Sequence, residues 1–219
     1  IIEQYSKFKL LDTPPPLLIF RTIFATISDD GNNLLKNPIW AFGGLTNMVT
    51  SIASQKGGTG KTSTTISLSA GLAHKGKKVL LVDIDSQANS SKVLLRDYQK
   101  ITKDQTIYTT IIDRRPLPVH PTHVRDLSIV PSHILLSNTD IELTTAKDHR
   151  EARLKSELDK IKDQYDYVFI DNPPALGWLT LNSFTASDKV LVVVSPGYFE
   201  LVGPAPAGRS WRLNSPVTG

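Results

Sequence analysis

The sequence contains no cysteine among its 219 residues. This absence excludes disulfide bridges, cysteine-ligated zinc and iron–sulfur clusters, and it is compatible with a reducing cytoplasm. Histidine is sparse as well, and the spacing of its residues with respect to acids does not indicate a metal site. We therefore expect the histidines at positions 120, 123, 133 and 149 to lie on the surface or in loops.

Long apolar runs and dense blocks of positive charge are also lacking. The stretch Leu17–Ile27 is too short to span a bilayer and contains Arg21, so it predicts neither a membrane helix nor a signal peptide. The formal net charge of +4 is compatible with contact to nucleic acid but does not establish it. The most basic stretch, His74–Lys78, is better explained as the end of a helix that stops at Gly76.

A glycine-rich loop is the most informative feature that the sequence does contain. Residues Gln55–Thr62 follow the apolar run Met48–Ala53 and precede a stretch with helical character. The loop glycines allow successive backbone N–H groups to point at one anion, and the next helix adds its positive N-terminal end. Lys61 and Thr62 then stand where a phosphate-binding loop needs a cation and a hydroxyl for Mg²⁺.

The pattern of apolar residues predicts strands alternating with helices around this loop. Such alternation is typical of an α/β, doubly wound fold with a mostly parallel sheet, in which ligands bind at the carboxyl ends of the strands. The predicted strands span residues 48–53, 79–83, 127–130, 167–171 and 190–194. The predicted helices span residues 62–74, 89–95, 106–112, 133–146 and 150–163, the last of them amphipathic.

Acidic residues follow two of the predicted strands. Asp83 and Asp85 come at the end of the strand after the loop, and Asp171 ends a later one. Because the carboxyl ends of parallel strands meet at one edge of a sheet, we expect these carboxylates near the bound phosphates. Asp83 and Asp171 could instead cap helices, and Asp85 could cap the segment that follows it.

Three motifs in order resemble the partition ATPases of the ParA/Soj type, in the deviant Walker A family that also includes MinD. The first is Lys56, the extra lysine of the loop; the second is Asp-Ile-Asp-Ser-Gln-Ala-Asn at 83–89, in which Ser86 replaces the usual proline. The third is Tyr-Asp-Tyr-Val-Phe-Ile-Asp-Asn-Pro-Pro at 165–174. The resemblance covers about residues 48–202 and implies a phosphate-loop ATPase with ATP and Mg²⁺ as cofactors.

The resemblance also implies a role for each motif residue. Lys56, Lys61 and Asp85 would be catalytic: Lys56 would reach the partner's nucleotide, Lys61 would neutralise the outer phosphates, and Asp85 would orient the attacking water. Lys56 could also be a plain solvated lysine. The expected nucleotide-binding residues are Gly57, Gly58, Thr59, Gly60, Lys61, Thr62, Ser63, Asp83 and Pro173, and the expected metal-site residues are Thr62, Asp85 and Asp171.

The family implies partners as well. They are a second copy of the chain in an ATP-dependent sandwich dimer, a centromere-binding ParB-type protein and non-specific DNA, without a membrane. The expected location is the cytoplasm. The absence of cysteine disfavours iron–sulfur relatives of this loop. A MinD-like cell-division ATPase and a nucleotide-binding remnant without hydrolysis are the alternatives, and Trp178 is expected to serve in packing.

The two ends of the chain do not follow the pattern of the middle. We expect residues 1–47 to lie outside the working domain, because Met48, the single methionine, stands where family proteins commonly begin. The ATPase domain is expected at 48–202 and an irregular, proline-rich tail at 203–219. Because the family pattern stops near Val202, the expected domain lacks its C-terminal strands, its adenine-contacting part and much of the DNA-binding surface.

Overall fold

A mostly parallel sheet forms the centre of the computed structural model, which describes residues 24–27, 48–54, 56–144 and 148–194. Within these ranges the strand order is β1-β7-β2-β6-β3-β5-β4, and the strands at the two edges, β1 and β4, run antiparallel to their neighbours. The strands are β1 (Phe24–Ile27), β2 (Met48–Ala53), β3 (Val79–Asp83), β4 (His120–Pro121), β5 (Leu127–Val130), β6 (Tyr167–Asp171) and β7 (Lys189–Val193).

The helices lie between the strands in the chain, as expected for a doubly wound fold. They are α1 (Lys61–His74), α2 (Asn89–Leu94), α3 (Ile107–Asp113), α4 (Thr139–Thr144), α5 (Arg153–Leu158) and α6 (Trp178–Ala186). Short 3₁₀ turns occur at Tyr98–Lys100, Lys103–Gln105, Ile134–Asn138 and Lys162–Gln164.

Most of the predicted elements are confirmed. The predicted strands match to within one residue, and the end of α1 matches the stop predicted at Gly76, whose φ of 76° closes the helix. Of the expectation for residues 1–47, the parts at 1–23 and 28–47 lie outside the described residues, as do residues 195–202 of the expected domain, the tail from 203 and the last two residues of the predicted helix at 133–146. The pattern of apolar residues did not predict β1 or β4.

Two predicted helices are shorter than expected. The stretch predicted as one helix at 150–163 contains a single α-helix, α5. After α5 the backbone hydrogen bonds join residues three apart, as from the Ile161 N–H to the Leu158 carbonyl. At its other end the helix begins at Arg153, and Arg150, which precedes it, donates from its guanidinium to the Thr144 carbonyl at 2.8 Å. The described part of the helix predicted at 133–146 divides into a 3₁₀ turn and α4.

The core lies on both faces of the sheet because side chains alternate along each strand. Leu80 and Val168 face the layer of α3 to α6, where Trp178 packs at the margin of the core as predicted. Leu81 and Phe169 face the opposite layer with Ala73 of α1. Helices therefore cover both faces of the parallel strands, and these strands are almost completely buried.

The strand order places β6 between β2 and β3. In this register Asp171, the last residue of β6, lies beside Ile52 of β2 on one side and beside Asp83 of β3 on the other. The glycine-rich loop starts just after β2, so the loop and both acids meet at one edge of the sheet. Among the described residues no helix is both long enough and apolar enough to cross a membrane.

Candidate functional site

The glycine-rich loop joins β2 to α1 with two residues in the left-handed region. Gly58 has a φ of 77° and Gly60 a φ of 91°, and Gly60 is the residue that precedes α1. A Cβ atom at Gly57, Gly58 or Gly60 would meet nothing within 4 Å. Gly58 and Gly60 therefore supply backbone conformation rather than clearance, as a loop that directs N–H groups at an anion requires.

The first residues of α1 lie against the sheet. Lys61 is only 7% exposed, and it shares the buried face of α1 with Thr65, Ser69 and Ala73, all small enough to bring the helix close to the strands. Thr65 Oγ1 donates to Asp171 Oδ1 at 3.4 Å, and the Thr62 side chain lowers the pKa of Asp171. The first turn of α1 therefore lies beside the acid at the end of β6.

Asp171 is fully buried, and several groups converge on its carboxylate. Ser90 Oγ of α2 donates to Asp171 Oδ2 at 2.7 Å. Burial raises the pKa of Asp171 above its usual value, and the negative charge of Asp85 raises it further. The hydrogen bonds from Ser90 and Thr62 and the positive charge of Lys61 oppose that rise in the pKa.

Asp83 is the second fully buried acid. Its Oδ2 accepts hydrogen bonds from the Ser91 hydroxyl at 2.7 Å and from the Ser91 amide at 2.9 Å, and its Oδ1 accepts from the Asp85 amide at 3.2 Å. Burial, followed by the negative charge of Asp171, raises the pKa of Asp83 to about 8. The bond from the Ser91 amide also caps the first turn of α2. Asp83 therefore caps a helix, as the alternative interpretation predicted, and it also lies beside Asp171.

Asp85 is 8% exposed and lies near Asp171. Its Oδ1 accepts a hydrogen bond from the Gln87 amide at 2.9 Å, which is the contact expected of a carboxylate that caps the following turn. Its carbonyl accepts from Ser132 Oγ at 2.5 Å. The capping alternative is thus present for Asp85 too, and a role in orienting water remains a prediction.

The other predicted site residues lie around the loop. Lys56, Gly57 and Ser63 are exposed, and Thr59 Oγ1 donates to the Lys56 carbonyl at 3.4 Å. Pro173 is partly buried two residues after Asp171. Gln55, the loop's first residue, lies outside the described residues.

Sequence reasoning missed three polar residues that hold the acids in place. They are fully buried serines that the motif reading passed over: Ser90, Ser91 and Ser132. The Ser132 amide donates to Ser91 Oγ at 2.9 Å, which joins the turn after β5 to the Asp83 carboxylate. The signal that could have found Ser90 and Ser91 was a pair of small polar residues directly after an acidic motif.

The donor set at this edge fits Mg²⁺ bound together with phosphates. Mg²⁺ prefers oxygen ligands and keeps several waters, so one or two carboxylates and a hydroxyl suffice beside a phosphate. Thr62 and Asp171 supply such oxygens, and three neighbouring carboxylates, of which two have raised pKa values, favour a cation nearby. Consistent with this, no group of three or more His, Cys, Asp or Glu within the described ranges forms a protein-only metal cage.

Comparison with known proteins agrees with this geometry. A family model described as an AAA domain matches residues 47–206. The chain is 42% identical over 157 residues to the sporulation initiation inhibitor protein Soj of Bacillus subtilis. This chain belongs to the ParA/Soj-type AAA-domain family.

A further relative and a solved structure are also similar to this chain. The chain is 42% identical over 154 residues to the chromosome partitioning protein ParA of Myxococcus xanthus. Its fold resembles that of cobyrinic acid a,c-diamide synthase from Mycobacterium smegmatis, solved with an ATP analogue and magnesium, with a TM-score of 0.62 at 34% identity; the match covers 67% of this chain and 59% of that one.

The ParA/Soj-type chain spans part of the length of these relatives. The match to Soj covers 71% of this chain and 61% of Soj, and the match to ParA covers 69% of this chain and 53% of ParA. The predicted fold class and family are confirmed by these matches.

Proposed function

We propose that this chain binds Mg·ATP at the loop of residues 56–63 and hydrolyses the nucleotide to ADP and phosphate. One observation carries the proposal: the loop and the buried Asp171 carboxylate meet at one edge of the sheet, where Thr62 and Lys61, at the end of the loop, both act on the pKa of Asp171. A phosphate loop needs this meeting of anion-binding amides, a lysine and a metal-binding acid. The solved relative with a bound ATP analogue and magnesium supports the same assignment.

Each residue then has a defined task. The amides from Gly57 to Thr62 bind the phosphates, and Lys61 neutralises the β- and γ-oxygens, where negative charge develops during phosphoryl transfer. Thr62 and Asp171 hold Mg²⁺, Asp171 through a water molecule. The metal, when bound, neutralises charge on the phosphate oxygens. Asp85 orients the attacking water, and Asp83 supports the network from within the sheet.

Lys56 acts in trans in this proposal. Its side chain stands on the exposed side of the loop, where a second copy of the chain can approach. In an ATP-dependent sandwich dimer Lys56 of one protomer completes the site of its partner and adds positive charge in the transition state. The name of the relative from Myxococcus xanthus, chromosome partitioning protein ParA, supports a role in partition. We propose DNA and a centromere-binding ParB-type protein as partners, and the cytoplasm as the location.

Turnover by the wild-type chain and by Lys61→Ala tests the enzymatic part. We expect the wild type to hydrolyse ATP and the variant to do so at least about a hundredfold more slowly, because the substitution removes the positive charge of Lys61 from beside the transferred phosphate. Nucleotide binding is measured alongside by fluorescence of a labelled ATP. Binding without turnover above the variant would instead identify a nucleotide-binding protein that does not hydrolyse ATP.

Mixing two inactive variants tests the trans lysine. Lys56→Ala and Asp85→Ala should each be inactive alone, since each damages both sites of a symmetric dimer. In a mixed dimer one site has an intact Asp85 and receives Lys56 from the partner, so random mixing should restore about a quarter of the wild-type sites. A mixture no more active than its components would refute action in trans.

Binding to DNA with and without ATP tests the partition role. We expect ATP-dependent binding to be weak or absent, and any binding to decrease as the salt concentration rises. We place the ATPase activity in residues 48–202. Equal binding with and without nucleotide would separate DNA contact from the ATPase cycle.

A further inference from the structure

The segment from Asn172 to Gly177 leads from the acid of β6 to α6, and its near end is fixed by a buried side chain. Asn172 is fully buried, and its Nδ2 donates to Ser51 Oγ at 2.7 Å and to the Ile52 carbonyl at 2.9 Å. Both acceptors belong to β2, the strand that leads into the phosphate loop. The near end of the segment is therefore fixed to the same strand as the loop.

The far end is fixed by a carboxylate from a different part of the chain. The Trp178 amide, first in α6, donates to Asp140 Oδ1 at 2.8 Å. Asp140 belongs to α4, and a negative charge at the start of α6 also interacts favourably with the helix dipole. The carboxylate thus fixes the point at which the segment becomes helical.

Gly177 makes room for this contact. Its backbone is extended, with a φ of −134° and a ψ of −168°, which any residue can adopt. A Cβ atom at this position, however, would lie 2.6 Å from Asp140 Oδ2 and 2.8 Å from Oδ1. Glycine thus leaves room here for the Asp140 carboxylate, and a Cβ atom would displace that carboxylate from its place beside the Trp178 amide.

A second set of contacts braces the same junction. The Arg150 guanidinium lies 4.1 Å above the Trp178 ring and donates to the Thr144 carbonyl at the end of α4 at 2.8 Å. Asn182 Nδ2, one turn further along α6, donates to the Arg150 carbonyl at 2.7 Å. Asp140, which accepts from the Trp178 amide, thus lies on α4, and Arg150 joins α4 to α6.

We propose that Asp140 is a positioning residue for the ATPase site, acting by fixing the far end of the segment 172–177. The inference rests on the proposed function, because it matters for turnover only if Asp171 and Pro173 serve a nucleotide. With both ends fixed, the segment 172–177 keeps one backbone conformation beside the buried acids. Without Asp140 the near end stays bound to β2, while the residues toward Gly177 gain freedom. Nucleotide binding through the loop is then retained, and turnover falls because catalysis depends on sub-ångström placement.

Four variants test this inference. Asp140→Ala removes the acceptor, and Asp140→Asn is the matched control, since its amide oxygen can still accept from the Trp178 amide. Gly177→Ala introduces the Cβ that collides with Asp140. The double variant Asp140→Ala/Gly177→Ala removes the collision partner and should be no worse than Asp140→Ala alone.

The first readout is hydrogen exchange of peptides covering residues 172–177 in the nucleotide-free protein. We expect exchange to accelerate about tenfold in Asp140→Ala and in Gly177→Ala, and to stay near the wild-type rate in Asp140→Asn. This measurement does not need ATPase activity. Unchanged exchange at 172–177 in Asp140→Ala would overturn the inference even if the chain is an active ATPase.

The second readout is the separation of kcat from nucleotide affinity. We expect Asp140→Ala to lower kcat about tenfold while the dissociation constant of ATP changes less than about threefold, with Asp140→Asn restoring kcat. A purely structural loss would lower the amount of folded protein and leave kcat per folded molecule unchanged, and that result would overturn the inference. If the wild type itself shows no turnover above Lys61→Ala, the proposed function fails, and the exchange measurement alone decides whether Asp140 positions the segment.

Discussion

Removing one buried hydroxyl, in Ser91→Ala, should destabilise the nucleotide-free protein by about 2–5 kcal/mol. Ser91 is fully buried, and its Oγ both donates to Asp83 Oδ2 at 2.7 Å and accepts from the Ser132 amide at 2.9 Å. The substitution leaves the Ser132 N–H without this acceptor inside the protein. It also takes one of three hydrogen bonds from the Asp83 carboxylate, whose other two come from backbone amides.

The magnitude follows from counting groups that lose a partner. The Ser132 N–H, left without an acceptor, costs about 1–3 kcal/mol, and the hydrogen bond lost by the Asp83 carboxylate, which keeps two others, costs about 1–2 kcal/mol more. Ser90→Ala is the matched control, because Ser90 is the preceding residue of α2, is equally buried, and its hydroxyl makes one bond, to Asp171 Oδ2 at 2.7 Å. We expect Ser90→Ala to cost about 1–3 kcal/mol, less than Ser91→Ala.

Urea unfolding followed by circular dichroism measures both variants at the same pH without nucleotide or Mg²⁺. The midpoint should fall further for Ser91→Ala than for Ser90→Ala, at similar slopes. If Ser91→Ala costs no more than Ser90→Ala, the chain from Ser132 through Ser91 to Asp83 does not stabilise the protein, and the reasoning is refuted.

Three further predictions concern stability. The pKa of Asp83 is about 8 in the folded protein, above the unfolded value of 3.8. The contribution of Asp83 to the free energy of unfolding is therefore complete below pH 3.8 and is lost as the pH rises through 8. Urea unfolding should show that this free energy falls by about 3 kcal/mol between pH 6 and pH 9.5, and the fall should be absent in Asp83→Asn. Equal pH dependence in both proteins would contradict this. Gly60→Ala should cost about 1 kcal/mol because the φ of Gly60 is 91°, whereas Gly71→Ala, inside α1 with open space around it, should raise stability by about 0.5–1 kcal/mol. If the melting temperatures of both variants shift in the same direction, the two glycines do not have these different roles. Leu154→Ala should cost about 2–5 kcal/mol, since this side chain is fully buried between α5 and the core, and a denaturation loss below about 1 kcal/mol would show that the site collapses around it.

Local patterns predicted most of the elements and much of the site. The strands that end at Asp83 and Asp171 were predicted at their observed bounds, because buried parallel strands are continuous apolar runs. The helix after the loop was predicted to within a residue, because glycines bound it at both ends. The stretch at 150–163 misled because amphipathic spacing continues past α5, although the backbone there changes to tighter turns.

The hydrogen bonds that the serines make to the acids could not be predicted from the sequence. Ser90, Ser91 and Ser132 carry no periodicity that separates them from surface serines, and their value depends on which carboxylate they meet. Hydrogen-bond partners of this kind are decided by distances between segments that are remote in the chain. The capping contact of Asp85 to Gln87, by contrast, spans two residues and was among the stated alternatives.

By itself the sequence determined the phosphate loop, the order of strands and helices, and which acids stand at strand ends, because glycine positions and apolar periodicity act locally. Only the tertiary structure decided that β6 lies between β2 and β3, so that Asp171 meets both Thr62 and Asp83. It also decided that Asp140 binds the start of α6 from 38 positions away. The physical reason is that strand order and helix contacts are settled by packing the whole core at once, which no single stretch of residues encodes.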